Sequence, residues 1–258
     1  MPQANKPLAV FITGASSGLG AALARHYGQR GAVLGLCGRR GEALERTAAG
    51  LNAHCFIAEV RDAGAMQAAA AEFIEKAGVP DIVIGCAGIS VGALTEEADD
   101  LPVFQAVMDA NVMGLVHTFH PFIAPMRQAG RGVLCGIASV AGVRGLPGGG
   151  AYSASKAAAR VYLEALRLEL KASGIRVVTV SPGYIETPMT RVNPYPMPFR
   201  MTAAAAAAKV ARLIEKRRAE SIIPWQMAVV AGFMRCMPRA LYDRLFEKAP
   251  RKPRGLPT

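Results

Sequence analysis

Two side chains in Tyr152-Ser153-Ala154-Ser155-Lys156 have the types and spacing to move a proton at neutral pH. On a helix, positions i and i+4 share a face, with their Cβ atoms about 6 Å apart. A free phenol titrates near pH ~10 and a free lysine ammonium near ~10.4. An ammonium held within about 4–6 Å stabilises the phenolate, so the spacing predicts a lowered Tyr152 pKa. A tyrosine poised in this way exchanges a proton with a substrate oxygen. By itself the pair also fits an exposed helical pair with no chemistry, because both residue types are common.

A second pattern lies near the start of the chain. Leu8-Ala9-Val10-Phe11-Ile12 is an apolar run of the length of a buried parallel strand. Thr13-Gly14-Ala15-Ser16-Ser17-Gly18-Leu19-Gly20 follows, and Ala21-Ala22-Leu23-Ala24 then opens a helical pattern. Strand, glycine-rich turn and helix together aim backbone N–H groups and a helix dipole at a phosphate. The spacing is G-x-x-x-G-x-G. It is neither the common G-x-G-x-x-G fingerprint nor a P-loop, since no Lys-Ser/Thr follows the last glycine.

Thr13-Gly14-x-x-x-Gly18-x-Gly20, then Asn111, Ser139 and Tyr152-x-x-x-Lys156, occur in an order that resembles the signature of the short-chain dehydrogenase/reductase family, in its compact single-domain branch. Pro182-Gly183-Tyr184-Ile185-Glu186-Thr187 is similar to the family's Pro-Gly segment, which closes over the nicotinamide. The motifs extend from residue 8 to about 190. The resemblance implies a catalytic set of Asn111, Ser139, Tyr152 and Lys156. Ser139 would bind the substrate oxygen, Tyr152 would give or take the proton, and Lys156 would tune Tyr152 and hold the nicotinamide ribose. Asn111 would anchor a water linking Lys156 to solvent. Gly14, Ser16, Ser17, Gly18, Leu19 and Gly20 would cradle the cofactor phosphates. Ala87, Gly88, Pro182, Gly183, Ile185 and Thr187 would line the rest of its site.

The elements needed to position these residues are visible without the motifs. Apolar runs near 8–12, 32–36, 53–57, 81–85, 132–137 and 175–181 alternate with helical patterns near 18–29, 41–51, 63–77, 99–128 and 153–172. Such alternation predicts an α/β fold: a Rossmann-like, doubly wound parallel sheet with helices on both faces, in a single domain. A sheet of this kind binds its ligand at the carboxyl ends of the strands. We divide the chain into 1–224, carrying the cofactor site, the catalytic site and a substrate loop at about 186–201, and 225–258, a basic and partly apolar helical extension of the same domain. Thr202 before the run Ala203–Ala208 predicts a capped helix.

Cofactor choice is legible at the end of the second apolar run. Relatives specific for NAD carry an acid there, whereas this chain has Gly38 followed by Arg39 and Arg40. A guanidinium suits the dianionic 2′-phosphate of NADP through charge-assisted bonds. NADP(H) is therefore expected over NAD(H), with Arg39 as the main contact and Arg40 and Ser16 assisting. Glu59-Val60 stands where the family usually has Asp-Val, and Glu59 would receive the adenine amino group.

Two departures from the family pattern stand out. Gly85-Cys86-Ala87-Gly88 replaces the usual Asn-Asn-Ala-Gly, and Cys86 cannot make the amide bonds that steady neighbouring strands, so this edge is expected to be looser. The C-terminus lacks the usual Gly-Gly tail. After Ser221-Ile222-Ile223-Pro224, a candidate last strand, come an apolar run from Trp225 to Met234 and a second helical pattern around Leu241 to Phe246. From residue 209 onward there are 12 Lys/Arg and 4 Asp/Glu, so +8 of the chain's net +11 lies in its last fifth. Three readings compete: a solvated tail beside a dimer or lid helix, a membrane-surface segment with its arginines toward anionic headgroups, and nucleic-acid binding. No recognised nucleic-acid motif accompanies the charge, so no nucleic-acid partner is expected. The apolar run is too short to span a bilayer, which needs about 20 residues.

Five cysteines (37, 55, 86, 135 and 236), with no CxxC pattern, suggest buried reduced thiols in the cytosol. Only a few polar residues precede the first strand, so no signal peptide is expected. His26, His54, His117 and His120 form no metal or nucleophile set, and no metal is expected. The segment Met189 to Met201 holds Tyr195, Met197, Phe199 and three prolines, which favours an adaptable apolar pocket. Between Ser139 and Tyr152 the residues are small and uncharged apart from Arg144, while Arg191 leaves an anionic substrate open.

The expected activity is an NADP(H)-dependent oxidoreductase passing a hydride between nicotinamide and a lipophilic ketone, aldehyde or alcohol. It would be cytoplasmic, with 225–258 either a solvated tail or a peripheral membrane contact, and a homodimer through the helices near 99–128 and 151–172. The alternative is a catalytically idle NADP-binding sensor or scaffold, though its natural mark would be loss of Tyr152 or Lys156.

Overall fold

Apolar runs become strands and the Ala/Leu-rich stretches between them become helices in this computed structural model, which describes residues Lys6–Gly255. Residues 1–5 and 256–258 lie outside the described residues, and with them the ends of both expected segments and the expectation about a signal peptide. In chain order the elements are β1 (Ala9–Thr13), α1 (Gly18–Gly28), β2 (Val33–Gly38), α2 (Gly41–Ala48), β3 (Ala53–Ile57), α3 (Ala63–Ala77), β4 (Ile82–Gly85), α4 (Leu101–Met108), α5 (Gly114–Gln128), β5 (Gly132–Ile137), α6 (Gly150–Glu169) and β6 (Ile175–Pro182). There follow β7 (Ile185–Glu186), α7 (Pro188–Arg191), β8 (Met201–Thr202), α8 (Ala203–Glu215), β9 (Glu220–Ile223), α9 (Trp225–Cys236) and α10 (Arg239–Phe246).

Seven strands pair in the order β3-β2-β1-β4-β5-β6-β9, every pair parallel. Parallel strands need crossovers, and the helices that supply them cover both faces. On one face Leu19, Leu23, Tyr27, Leu44, Val210 and Ile214 close over the sheet. On the other, Met66, Phe73, Leu115, Phe119, Phe122 and Leu163 do so, with Phe11 of β1 in ring contact with Phe56, Phe73 and Phe122. β2 and β4 flank β1 on opposite sides, so the chain changes direction across the sheet there. This opens a crevice at the carboxyl ends of the strands.

Local chemistry explains several boundaries. The Asp62 carboxylate caps α3 by accepting from the Ala65 N–H at 3.0 Å. The Thr202 hydroxyl caps the alanine-rich α8 by accepting from the Ala205 N–H at 3.2 Å, as its sequence predicts. The continuous helix expected over 99–128 is instead composite: a 3-10 turn (Ala98–Asp100), α4, a π-helical turn (Asp109–Met113) and α5. The residue inserted by the π turn rotates Asn111 into the interior, and such turns are common at functional sites.

The cysteines are unpaired, but not all are buried. Cys37 and Cys135 are buried in inner strands, whereas Cys55 lies on the edge strand β3 and Cys236 ends α9, and both are exposed. A hydrophobic residue type is not enough where the element has no layer above it.

The C-terminal extension is docked rather than a free tail. Arg144 Nη1 donates to the carbonyls of Met234 and Met237, each at 3.0 Å, satisfying acceptors at the end of α9. Its guanidinium also lies 4.1 Å from the Tyr242 ring centroid, and the Tyr242 hydroxyl donates to the Gly145 carbonyl at 2.6 Å. Arg144, the one charge between Ser139 and Tyr152, is therefore directed at the extension and not at the substrate.

Candidate active site

Glycines build the floor of the site. Gly14 has φ +69°, and a Cβ on it would lie 2.8 Å from Ala87 Cα. A Cβ on Gly20 would collide with the Gly14 carbonyl. The turn between β1 and α1 therefore closes only without side chains, which leaves backbone N–H groups and the start of α1 facing a cavity of about 350 Å3. Of the predicted site residues, all but Asn111 line this one cavity. Gly14 to Gly20 and Arg39-Arg40 border one end, Ser139, Tyr152 and Lys156 the other, and Thr187 reaches across to pack its methyl against Gly18.

At the far end of β2, Arg40 rather than Arg39 faces the glycine-rich turn. Its Nη2 donates to the hydroxyls of Ser16 at 3.1 Å and Ser17 at 2.9 Å. Arg39 turns away to Glu59, 3.4 Å distant. Glu59 also accepts from Arg61 Nη2 at 2.9 Å. Burial alone would raise the Glu59 pKa, but the Arg61 bonds and the charges of Arg61 and Arg39 hold it below the usual carboxylate value. The Glu59 carboxylate is thus already engaged by two guanidinium groups.

Thr13, absent from the sequence-based set, supplies what Cys86 cannot. Its hydroxyl accepts from the N–H groups of Cys86 at 3.3 Å and Ala87 at 3.4 Å, and it faces Ile84 O and Thr118 Oγ1 at 3.5 Å each. The tie between β1 and β4 thus comes from the residue just before Gly14, and the expected loosening at Cys86 is offset. A buried hydroxyl at a strand end is the signal that would have found it.

Asn111 is buried and its amide is tied into the scaffold by three bonds. Oδ1 accepts from the Ile89 N–H at 2.8 Å, while Nδ2 donates to Ile89 O at 3.0 Å and Ser155 Oγ at 2.9 Å. It fastens the loop after β4 to α6, the helix that carries Tyr152 and Lys156. A Cβ on Gly88 would meet Asn111 Oδ1 at 2.7 Å and lie 3.6 Å from Lys156 Nζ, so Gly88 allows this junction to close.

Tyr152 and Lys156 share a helix face, but the ammonium does not meet the phenol. Lys156 Nζ donates to the Ile137 carbonyl at 2.9 Å and lies 5.9 Å from the Tyr152 ring centroid. The lowered Tyr152 pKa expected from spacing is not found. Burial pushes Tyr152 above the ordinary phenol value, with Ser139 opposing and Cys86 adding to the shift. Burial also pulls Lys156 down to about 8. Desolvation dominates because both groups leave water together. Ser139 Oγ accepts from the Ala141 N–H at 3.1 Å, which leaves its own proton to be donated to the Tyr152 hydroxyl or to an acceptor in the cavity.

The family model for short chain dehydrogenase matches residues 8–195, most of the chain and every part of this cavity. The chain belongs to the short-chain dehydrogenase/reductase family. It is 36% identical over 240 residues to an uncharacterized oxidoreductase of Myxococcus xanthus, covering 90% of this chain and 94% of that one. It is 32% identical over 268 residues to dehydrogenase/reductase SDR family member 7B of Bos taurus, covering 95% and 82%. Among solved structures it resembles a 3-ketoacyl-(acyl-carrier-protein) reductase from Brucella melitensis complexed with NADH, with a TM-score of 0.78 and 25% identity over 84% of this chain and 96% of that one. Members of this family are oxidoreductases acting between CH–OH and C=O groups with a nicotinamide cofactor. The glycine cradle, which a single Cβ would fill, fits the pyrophosphate of such a cofactor. Among the described residues no group of His, Cys, Asp and Glu could hold a metal ion, and no helix is long and apolar enough to cross a membrane.

Proposed function

We propose that this protein is an NADPH-dependent carbonyl reductase, reversible as an alcohol dehydrogenase. The observation that carries the reading is the convergence of Ser139, Tyr152 and Lys156 on one end of the cavity whose other end is the glycine cradle. The bound nicotinamide supplies or accepts the hydride. Ser139 donates a hydrogen bond to the carbonyl oxygen and steadies the charge that develops there. Tyr152, a phenol that is protonated at neutral pH, delivers the proton that completes the alcohol. Lys156 holds the nicotinamide ribose and replaces the proton on Tyr152, while Asn111 keeps the loop after β4 and the catalytic helix in register.

Preference for NADP(H) is supported by Arg40, whose guanidinium lies with Ser16 and Ser17 beside the end of β2. Gly38 places no carboxylate there to repel a 2′-phosphate. A ketone or aldehyde with an apolar body suits the loop after α7, where Tyr195 packs edge-on to Tyr184 at 6.5 Å between centroids. Turnover of NADPH across a carbonyl panel, absent in Tyr152→Phe, tests this reading. Tight NADPH binding with no turnover of any carbonyl would favour the idle sensor instead.

Two surface features support the expected partners. Val161 and Leu168 on α6, with Leu101 and Met113, expose large apolar side chains on the helices assigned to a homodimer. Peripheral membrane contact of a cytoplasmic protein is favoured by an apolar ridge on α9, flanked by exposed arginines on α9 and α10.

A further inference from the structure

The last described residues return to the mouth of the active site. After α10 the chain runs back to the loop following β4, where the Gly92 N–H donates to the Pro253 carbonyl at 2.8 Å and Gly92 pairs with Arg254 in a parallel bridge. A Cβ on Gly92 would collide with the Lys252 carbonyl, so the absence of a side chain there makes room for the tail. Gly148, at φ +69°, gives similar room to Arg251, whose Cβ and Cγ a Cβ there would approach to 3.0 Å. Arg254 locks the segment: its Nε lies 2.7 Å from Asp100 Oδ2 and its Nη1 3.3 Å from Glu97 Oε1. Asp100 is itself buried and fixed by the Leu94 N–H at 2.8 Å.

This seating delivers one cation to the catalytic tyrosine. Lys252 Nζ donates to Ser90 Oγ at 2.7 Å and lies 5.9 Å from the Tyr152 ring centroid, the same distance as Lys156. Of the other basic groups near the substrate side, Arg144 is engaged by the α9 carbonyls, Arg200 by Glu186 at 3.0 Å and Arg254 by Asp100 and Glu97. Arg191 has no carboxylate within 4 Å among the described residues and lines a separate cavity with Tyr195 and Met197. Among the described residues no carboxylate lies within 4 Å of Lys252 Nζ. The side chain is half-buried, and burial pulls its ammonium down to about 8. A desolvated cation with one neutral hydroxyl partner is costly unless an anion joins it.

We infer that Lys252, held by the C-terminal tail and Ser90, is the specificity residue of the substrate pocket, and that the natural substrate is a carbonyl compound carrying an acidic group, a carboxylate or similar oxyanion, within a few bonds of the reacting carbon. The inference rests on the reductase reading above and adds the charged end to an otherwise apolar substrate. The acidic group pairs with Nζ and Ser90 Oγ while the carbonyl oxygen meets Ser139 and Tyr152. The short reach from Nζ to the phenol limits the spacer. The tail thereby becomes part of the active site instead of a surface appendage.

Matched substrates test this directly. Succinic semialdehyde and meta- and para-carboxybenzaldehyde would each be compared with the corresponding methyl ester, using NADPH oxidation by the full chain. We expect the best of the acids to exceed its ester in kcat/KM, and Lys252→Met to lower the value for the acid roughly 10- to 100-fold while the ester changes less than about 3-fold. Lys252→Arg should restore much of the loss, and the melting temperature of each variant in the presence of NADPH reports folding. Terephthalate binding to the NADPH-loaded protein, followed by calorimetry, should weaken in parallel in Lys252→Met. Equal losses for acid and ester would overturn the inference and assign Lys252 to the electrostatics of Tyr152. Turnover of esters with no preference for acids would also overturn it while leaving the carbonyl reductase reading intact. Failure of every aldehyde would remove both.

Discussion

Lys156 Nζ donates its hydrogen bond to the backbone carbonyl of Ile137 at 2.9 Å, not to the phenol of Tyr152 four residues before it. Lys156 is therefore a desolvated group held by a strand end, with no direct hydrogen bond to the Tyr152 hydroxyl. In the folded chain its pKa falls from 10.5 to about 8, so near neutral pH the native state carries a buried ammonium that the unfolded state keeps in water. The penalty is full below pH 8, where both states are protonated. It fades as pH rises toward 10.5, where the unfolded state loses its proton as well.

Lys156→Met should accordingly stabilise the protein at pH 7. The pKa depression corresponds to about 3 kcal/mol, reduced to about 1–2 kcal/mol by the lost bond to Ile137 O. The gain should shrink between pH 8 and 10.5, while activity falls at least ~100-fold. Denaturant unfolding of both proteins across this range checks it, and a stability difference that is flat with pH would contradict the burial argument.

The arginine that faces the cofactor end can be separated from its neighbour by a switch in preference. Arg40→Ala should lower kcat/KM for NADPH about 10- to 100-fold and leave NADH within a few-fold. Arg39→Ala should act less on the preference, because its guanidinium is directed to Glu59. If Arg39→Ala alone abolishes the NADPH preference, the reading of Arg40 is wrong.

Arg144 supports the extension through two carbonyls and the Tyr242 ring. Arg144→Met should cost about 2–3 kcal/mol and expose the chain near Met237 to limited proteolysis. Sites that stay protected, with an unchanged melting temperature, would mean that α9 is held by the packing of Met227 and Ala231 alone.

Trp225, Val229 and Phe233 recur every four residues along α9 and are 68%, 62% and 64% exposed. Leu241 and Leu245 on α10 are exposed as well, near Arg235, Arg239, Arg244 and Lys248. Flotation with phosphatidylserine vesicles should recover the wild-type chain and lose the Trp225→Ala/Phe233→Ala variant, and neutral vesicles should recover little of either. Equal recovery of the two proteins would point to a protein partner for the ridge.

Much of this protein is determined by sequence alone, because periodicity and glycine placement are local properties. Apolar runs of strand length alternating with Ala/Leu-rich helices dictate the parallel sheet, and Gly14, Gly18 and Gly20 are required by a turn that cannot accept side chains. The shared helix face of Tyr152 and Lys156 follows from their spacing, whereas the place of Ser139 beside them was implied by the family resemblance. Tertiary structure alone decided what depends on residues distant in the chain. Thr13 replaces the tie that Cys86 cannot make from 73 positions away. Arg40, and not Arg39, meets the serines of the glycine turn, which stand across from it. Burial overrides the Tyr152–Lys156 charge effect because helix spacing fixes proximity but says nothing of solvent. Lys252 reaches Ser90 across 162 positions, since only the seating of the tail in the space left by Gly92 and Gly148 brings its charge to the tyrosine.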